Sequence, residues 1–338
     1  MERKIGIFRA LHLGDMLCII PTVRAIRAAW PDAHMTLIGL PWQDAFVERF
    51  PFYFNDFIAF PGWPGLPEQQ PDPRKVVAFL RHMQEREFDI VFQMQGNGAV
   101  TNGMCELWGA EIVCGLRVPR SWTSNPQYFP ESDDSEHEVL RFFKLLECFN
   151  ITPQGSHLEF PITDEEDQLA QQKMAEMQLE TGSFICIHPG ARDERRRWPA
   201  QHFASIADAL ARDGYRLLLT GSEDEHALLA KVAQLIDGPV INIVDRFGHL
   251  PIGELAAILR RSRLLISNDT GVSHVAAALS VPSVIIFSPW SDMRRWHPLS
   301  EELHMSVPHE QSGDIDFVLS RINELLTRSK ASATSVGH

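Results

Sequence analysis

The stretch Leu264-Leu265-Ile266-Ser267-Asn268-Asp269-Thr270-Gly271-Val272-Ser273-His274-Val275-Ala276-Ala277-Ala278 decides how this chain is read. Three apolar residues suited to a buried strand stop at a polar group, and a run of small residues suited to a helix begins at once. A strand that feeds directly into a helix leaves the first N–H groups of that helix unpaired and aimed past the strand end. Together with the helix dipole they form an anion site, and a phosphate suits it well. Thr270 and His274 stand four residues apart, so both can face one ligand. The plainer alternative is that Asp269 or Thr270 is an N-cap and His274 packs in a core.

The rest of the chain bears on this choice. A length of 338 residues with 44% hydrophobic composition exceeds one ordinary core and fits two domains. The formal net charge of -13 argues against a nucleic-acid partner, which a protein usually meets with a basic face. Five scattered cysteines without a close CxxC pair suggest neither a disulfide framework nor a zinc site, and a reducing cytoplasm is the expected compartment. The chain has no signal-peptide core and no apolar run of the roughly 20 residues needed to cross a bilayer. Contact with the surface of the inner membrane stays open.

Strand and helix signals alternate along the sequence, which predicts parallel sheets covered on both faces. In the first half the pattern gives strand 4–8, helix 16–29, strand 35–39, helix 41–50, helix 76–87, strand 89–93 and an amphipathic helix 138–149. Two segments rich in Pro, Gly and aromatics, 52–73 and 118–130, read as loops. A linker is expected at 155–165. A second series follows: strand 184–187, helix 200–213, strand 215–219, helix 225–235, strand 240–244, helix 251–261, strand 264–266, strand 283–287 and helix 315–327. The division expected is 1–160, 161–328 and a disordered polar tail, 329–338. Two doubly wound domains would present their strand ends to a cleft, where ligands of open α/β sheets bind.

Three more constellations fall at strand ends. Arg9-Ala10-Leu11-His12-Leu13-Gly14-Asp15 follows the first strand. Asp15 is either a cap for the next helix or a general base, if burial raises its affinity for a proton. Gly14 would let backbone approach a substrate closely. His188-Pro189-Gly190-Ala191-Arg192-Asp193-Glu194-Arg195-Arg196-Arg197-Trp198-Pro199 follows the first strand of the second half and holds four arginines in six residues. Such a run is ordinarily solvated, but at a strand end one or two guanidiniums can hold a diphosphate by paired hydrogen bonds. Thr220-Gly221-Ser222-Glu223-Asp224-Glu225 is a capping cluster or a place for a ribose-binding acid.

The motif Leu13-Gly14-Asp15 with Pro21, the stretch from His188-Pro189-Gly190-Ala191 to Arg197-Trp198-Pro199, Thr220-Gly221-Ser222 with its glutamates, and Asn268-Asp269-Thr270-Gly271-Val272-Ser273-His274 occur together in one order and spacing. In these four motifs, and in a likeness that extends from residue 4 to about 328, the chain resembles glycosyltransferase family 9, the ADP-heptose:lipopolysaccharide heptosyltransferases and their relatives. The resemblance implies a GT-B fold of two Rossmann-like domains, the first for acceptor and the second for donor. It also implies inverting sugar transfer from a nucleotide diphosphate, without a metal or other cofactor. By matching positions, Asp15 takes the place of the catalytic base, with Arg9 and Gly14 on the acceptor side. Gly190, Arg192, Arg196, Glu223 or Glu225, Asp269, Thr270, Gly271 and His274 take the place of the donor site. Arg196 stands where these enzymes commonly have a lysine, keeping charge but not geometry. Ala191 and Arg192 replace residues that are often hydroxylic in the family, which leaves the donor open.

The expected partners are a nucleotide sugar, ADP-heptose first, and a glycan or glycolipid acceptor such as a lipopolysaccharide core. An anionic acceptor calls for a basic wall, whereas the first half of the chain is somewhat acidic. Its aromatic stretch 50–67 suits sugars or lipid, or fills a core. Another nucleotide sugar, a small-molecule acceptor and a catalytically idle nucleotide-sugar-binding protein remain as alternatives. A dehydrogenase is disfavoured because residues 9–15 contain no GxGxxG.

Overall fold

In the computed structural model, residues 2–335 are described, with side chains to residue 328. The chain divides into two compact units, 1–156 and 157–338.

The first unit is built on five strands, β1 (Lys4–Phe8), β2 (His34–Gly39), β3 (Asp56–Ala59), β4 (Ile90–Gln93) and β5 (Ile112–Gly115), in the order β3-β2-β1-β4-β5. Every adjacent pair is parallel. The central strands are nearly continuous apolar runs, because helices cover both faces of a parallel sheet. Ile5, Ile7, Phe8, Val91 and Phe92 are accordingly sealed from solvent. The chain starts in the middle of the sheet, works outward through β2 and β3, then returns to lay β4 on the other side of β1. That reversal opens a crevice beyond the carboxyl ends of β1 and β4.

The second unit repeats the plan with β6 (Phe184–His188), β7 (Arg216–Leu219), β8 (Val240–Asn242), β9 (Leu264–Asn268), β10 (Ser283–Ile286) and β11 (His304–Val307). Their order is β11-β10-β9-β6-β7-β8, again with parallel pairs throughout. Here the reversal lies between β6 and β9. Both motifs that the sequence places at an anion site thus end on neighbouring strands.

Several local readings change. The expected helix 138–149 shrinks to Phe143–Glu147, and 138–142 fold as turns. The spacing that looked amphipathic arises because Glu138 and Arg141 turn inward along with Val139 and Phe142. The stretch expected as a linker contains the start of the helix Asp164–Glu176, whose first turn carries four acids. Thr163 and Glu166 close a reciprocal capping box there, and negative charge favours a helix N-terminus. Asp167 anchors this helix to Arg261 at 2.7 Å, and the guanidinium hydrogen bonds hold its carboxyl down at about 2.

In the segment 52–73 read as loop, β3 pairs with β2. Phe54 and Phe60 there fill core, as does Phe50 just before the segment, and Phe60 packs edge-on against Phe8 and Phe79. Phe52 alone among the Phe50–Phe60 phenylalanines is strongly exposed, at 86%. The strand expected at 240–244 stops at Asn242, whose side chain accepts from the Val244 N–H and starts the short helix Ile243–Phe247. The last helix, Ile315–Ser335, runs well into the tail expected to be disordered, and 336–338 lie outside the described residues.

Candidate active site

In the first unit the helix Leu13–Ala29 begins five residues after β1. His12 is its N-cap and Asp15 its third residue, so Asp15 does not occupy the cap position. Its carboxylate instead meets Arg9, with Nη2 to Oδ1 at 3.4 Å, and keeps 22% of its side chain exposed. Arg9 itself is completely buried. A guanidinium cannot shed its proton in a protein, so a buried one must have its five donors met and its charge balanced. Arg9 Nε donates to the Asp15 carbonyl at 2.9 Å and Nη1 to the carbonyl of Met94, just beyond β4. Nη2 also donates to Glu138 Oε1 at 2.8 Å. The Gln95 side chain completes the β1–β4 crevice by accepting from the Ala10 N–H at 2.9 Å. Arg9, expected on the acceptor side, is thus fully buried among Asp15, Met94 and Glu138, and Asp15 is the group left partly open.

In the second unit Asn268, at the end of β9, ties the site together. Its Nδ2 donates to the carbonyls of Pro189 and Gly190 at 2.8 and 3.2 Å, while Oδ1 accepts from the Trp198 N–H at 2.9 Å. This one amide holds both ends of the arginine-rich loop against β9. The four arginines then separate by environment. Arg195 is paired with Asp193 through Nε and Nη2 and stacks over Trp290 at 4.5 Å. Arg197 pairs with Glu194 and donates to the Ala191 carbonyl, and Arg192 points outward. Arg196 reaches Asp269, its Nη1 3.4 Å from Oδ2. Its side chain is about a third exposed, and its Nε is buried without a hydrogen-bond partner. Of this run, Arg196 is the guanidinium that reaches the end of β9 with a buried Nε left unbonded.

The helix Gly271–Ala278 starts next to it. Thr270 is its N-cap, in extended conformation, and its hydroxyl makes no capping bond, so Oγ1 is not consumed by the helix. Gly271 opens the first turn with its N–H among those a helix cannot satisfy internally. His274 is buried, with its ring 6.0 Å from that of Trp296, which fits the plainer reading of a packed histidine. Asp269 is 3% exposed and turned toward Arg196.

The two candidate ribose acids also separate. Glu223 is exposed. Glu225 is buried, and its Oε2 accepts from the Ser222 N–H at 2.9 Å within a capping box. A Cβ on Gly190 would lie 2.1 Å from Glu225 Oε1, so any larger residue there requires this carboxylate to move. Behind it His188 Nδ1 meets Thr220 Oγ1 at 3.1 Å. Burial pushes His188 below the usual histidine range, against a smaller upward pull from Glu225. Gly190→Ala is expected to force the Glu225 side chain aside, lowering stability by about 1–3 kcal/mol as overpacking does and weakening nucleotide binding. Thermal melts and calorimetry on the variant check both.

The model of glycosyltransferase family 9 (heptosyltransferase) matches residues 76–318. The chain belongs to glycosyltransferase family 9. It is 31% identical over 308 residues to lipopolysaccharide heptosyltransferase 2 of Salmonella typhimurium, covering 85% of this chain and 83% of the relative. Among solved structures, a family 9 glycosyltransferase from Veillonella parvula superposes with a TM-score of 0.76 at 22% identity, over 94% of this chain and 89% of the other. The Escherichia coli ADP-heptose lipopolysaccharide heptosyltransferase II does so with a TM-score of 0.74 at 20% identity, over 97% and 99%. The two parallel-sheet units are thus the two Rossmann-like domains of the GT-B class, and this family 9 member is a glycosyltransferase.

Proposed function

We propose that this family 9 enzyme transfers heptose from ADP-heptose to a hydroxyl of a lipopolysaccharide core, with inversion and without a metal ion. The observation that carries the reading is Arg196. It stands with unspent donors at the β6–β9 reversal, beside the N-terminus of the helix that begins at Gly271. A guanidinium and free helix N–H groups at one place are what a leaving diphosphate needs, because they meet charge as it develops. Asp269, buried against Arg196, serves to hold that guanidinium, since a carboxylate directly against a diphosphate would repel it. Thr270 Oγ1 supplies a further donor to the diphosphate. Glu225, buried beneath Gly190, is the acid we assign to the ribose hydroxyls, with Glu223 left in solvent. His274 supports the helix from within.

On the acceptor side, Asp15 takes the proton of the attacking hydroxyl. The acceptor oxygen forms a bond to the anomeric carbon of the donor from the face opposite the diphosphate, the bond from that carbon to the diphosphate oxygen breaks, and ADP leaves with the electron pair. One displacement of this kind inverts the anomeric centre. Since Arg196 and the Gly271 helix terminus supply the positive charge, transfer is expected to be unchanged by EDTA; loss of activity that magnesium or manganese restores would overturn the metal-free part of the reading.

Among the described residues no helix is long and apolar enough to cross a membrane. A lipid-anchored acceptor would then be met at the membrane surface, where the exposed rings of Phe52 and Trp122 in the first unit suit the interface. The test is calorimetry with ADP, UDP, GDP and CMP, followed by transfer from ADP-heptose to lipopolysaccharide core purified from a heptose-deficient strain. Selective ADP binding with transfer supports the proposal. Preference for another nucleotide would retain the fold and change the donor, and nucleotide binding without transfer to any glycan would point to an idle binding protein.

A further inference from the structure

We infer that Glu138 is a positioning residue for Asp15, acting through the buried guanidinium of Arg9. The inference rests on the reading of Asp15 as the base.

Arg9 lies between two carboxylates and does not share itself equally. Its Nη2 is 2.8 Å from Glu138 Oε1 and 3.4 Å from Asp15 Oδ1. Nε is committed to the Asp15 carbonyl and Nη1 to the Met94 carbonyl, which holds the guanidinium in its plane. Glu138 is fixed in turn. Its other oxygen is 3.3 Å from Arg141 Nη1, both side chains are almost fully buried, and the Phe142 ring lies 5.0 Å from the Arg9 guanidinium and 5.6 Å from that of Arg141. Asp134 stands 3.8 Å from Arg141 at the solvent end.

The consequence concerns where the charge of Arg9 is spent. A cation in a low-dielectric interior must be balanced by a nearby anion, and here Glu138 holds the shorter contact. Asp15 is left with a longer, weaker contact and with part of its carboxylate exposed, free to accept a proton from an acceptor hydroxyl. Without the Glu138 charge, Arg9 would fall back on Asp15 alone. The pair would tighten, the carboxylate would be drawn toward the interior, and its lone pairs would be committed to Arg9. Glu138 sits 129 positions from Arg9 in sequence and reaches it only because 138–142 fold as turns.

The test is a double-mutant cycle in the transfer assay with ADP-heptose and heptose-deficient core. Glu138→Gln is expected to lower kcat about tenfold or more, with KM for donor and acceptor and the affinity for ADP within about twofold, because only the step that uses Asp15 is affected. In an Asp15→Asn background the same change is expected to cost nothing further. Because Glu138→Gln leaves two buried guanidiniums short of one counter-charge, the variant Glu138→Gln/Arg141→Met, which removes one cation with the anion, is run beside it and should show the same kcat loss.

A loss of equal size with and without the Asp15 carboxylate would overturn the inference and leave Glu138 a structural residue. So would a rise in KM at unchanged kcat, or full activity in both variants. If Asp15→Asn itself turns over normally, the base assignment fails, and the role of Glu138 goes with it. Loss in Asp15→Asn but not in Glu138→Gln removes Glu138 alone.

Discussion

Asp15→Asn is expected to lower kcat for sugar transfer by at least about a hundredfold, the usual weight of a positioned general base, while the affinity for ADP stays as it was. A hundredfold is about 2.7 kcal/mol of barrier at 1.36 kcal/mol per decade. Asparagine is the informative replacement because it keeps the shape of the contact to Arg9 and removes only the proton acceptor. The guanidinium stays compensated, since Glu138 makes its shorter ion pair, so the fold is expected to survive. ADP is expected to bind normally because the candidate diphosphate groups belong to the second unit. Turnover near that of the parent enzyme would remove Asp15 from the mechanism, and a parallel loss of ADP affinity would show that the variant is damaged more widely.

Arg196→Ala is expected to weaken ADP binding by roughly 10- to 100-fold, since a hydrogen bond to a charged group contributes about 1.5–3 kcal/mol and each 1.4 kcal/mol is a decade in Kd. The substitution also strips the partner from Asp269, which is 3% exposed, and a buried carboxylate without a partner is costly by itself. Arg196→Ala/Asp269→Asn removes that complication. If the loss of affinity persists in the double variant, it belongs to the guanidinium and the diphosphate. Arg196→Lys should recover part of the affinity, because an ammonium supplies charge without the planar fork. ADP binding unaffected in both alanine variants would return the whole arginine run to solvent. Within that run Arg195 is the internal control: exposed and paired with Asp193, it is expected to tolerate alanine with no change in ADP affinity.

The strand-to-helix junctions are legible in the sequence, and for a local reason. A buried parallel strand must be apolar along its length, and the loop that follows must be polar and tight, so Leu264–Asn268 with the Gly271 helix, and Phe184–His188 with its arginines, announce themselves within a dozen residues. The short edge strands β3, β5 and β11 did not. β3 and β11 are four residues each, and their pairing is supplied by the neighbouring strand rather than by their own pattern. The acid-rich start of the helix Asp164–Glu176 read as linker because its stability comes from a capping box and from Arg260 and Arg261, more than ninety residues away.

At the site the division is similar. That Asp15, Arg196, Asp269 and Thr270 stand at strand ends follows from sequence, because position along a βα unit determines which end of the sheet a residue occupies. Which of four arginines reaches the end of β9, which of two glutamates is buried, and that Arg9 is buried against Glu138 as well as Asp15 could not be read there. Those outcomes depend on partners far along the chain: Asp269 for Arg196, Gly190 for Glu225, and Met94 and Glu138 for Arg9. Sequence by itself determined the alternation of elements, the sheets it implies and the family, since these rest on local periodicity and motif spacing. Tertiary structure alone decided how each charge is compensated, because a buried ion takes whatever partner the folded chain brings within about 3 Å, and separation in sequence does not enter that interaction.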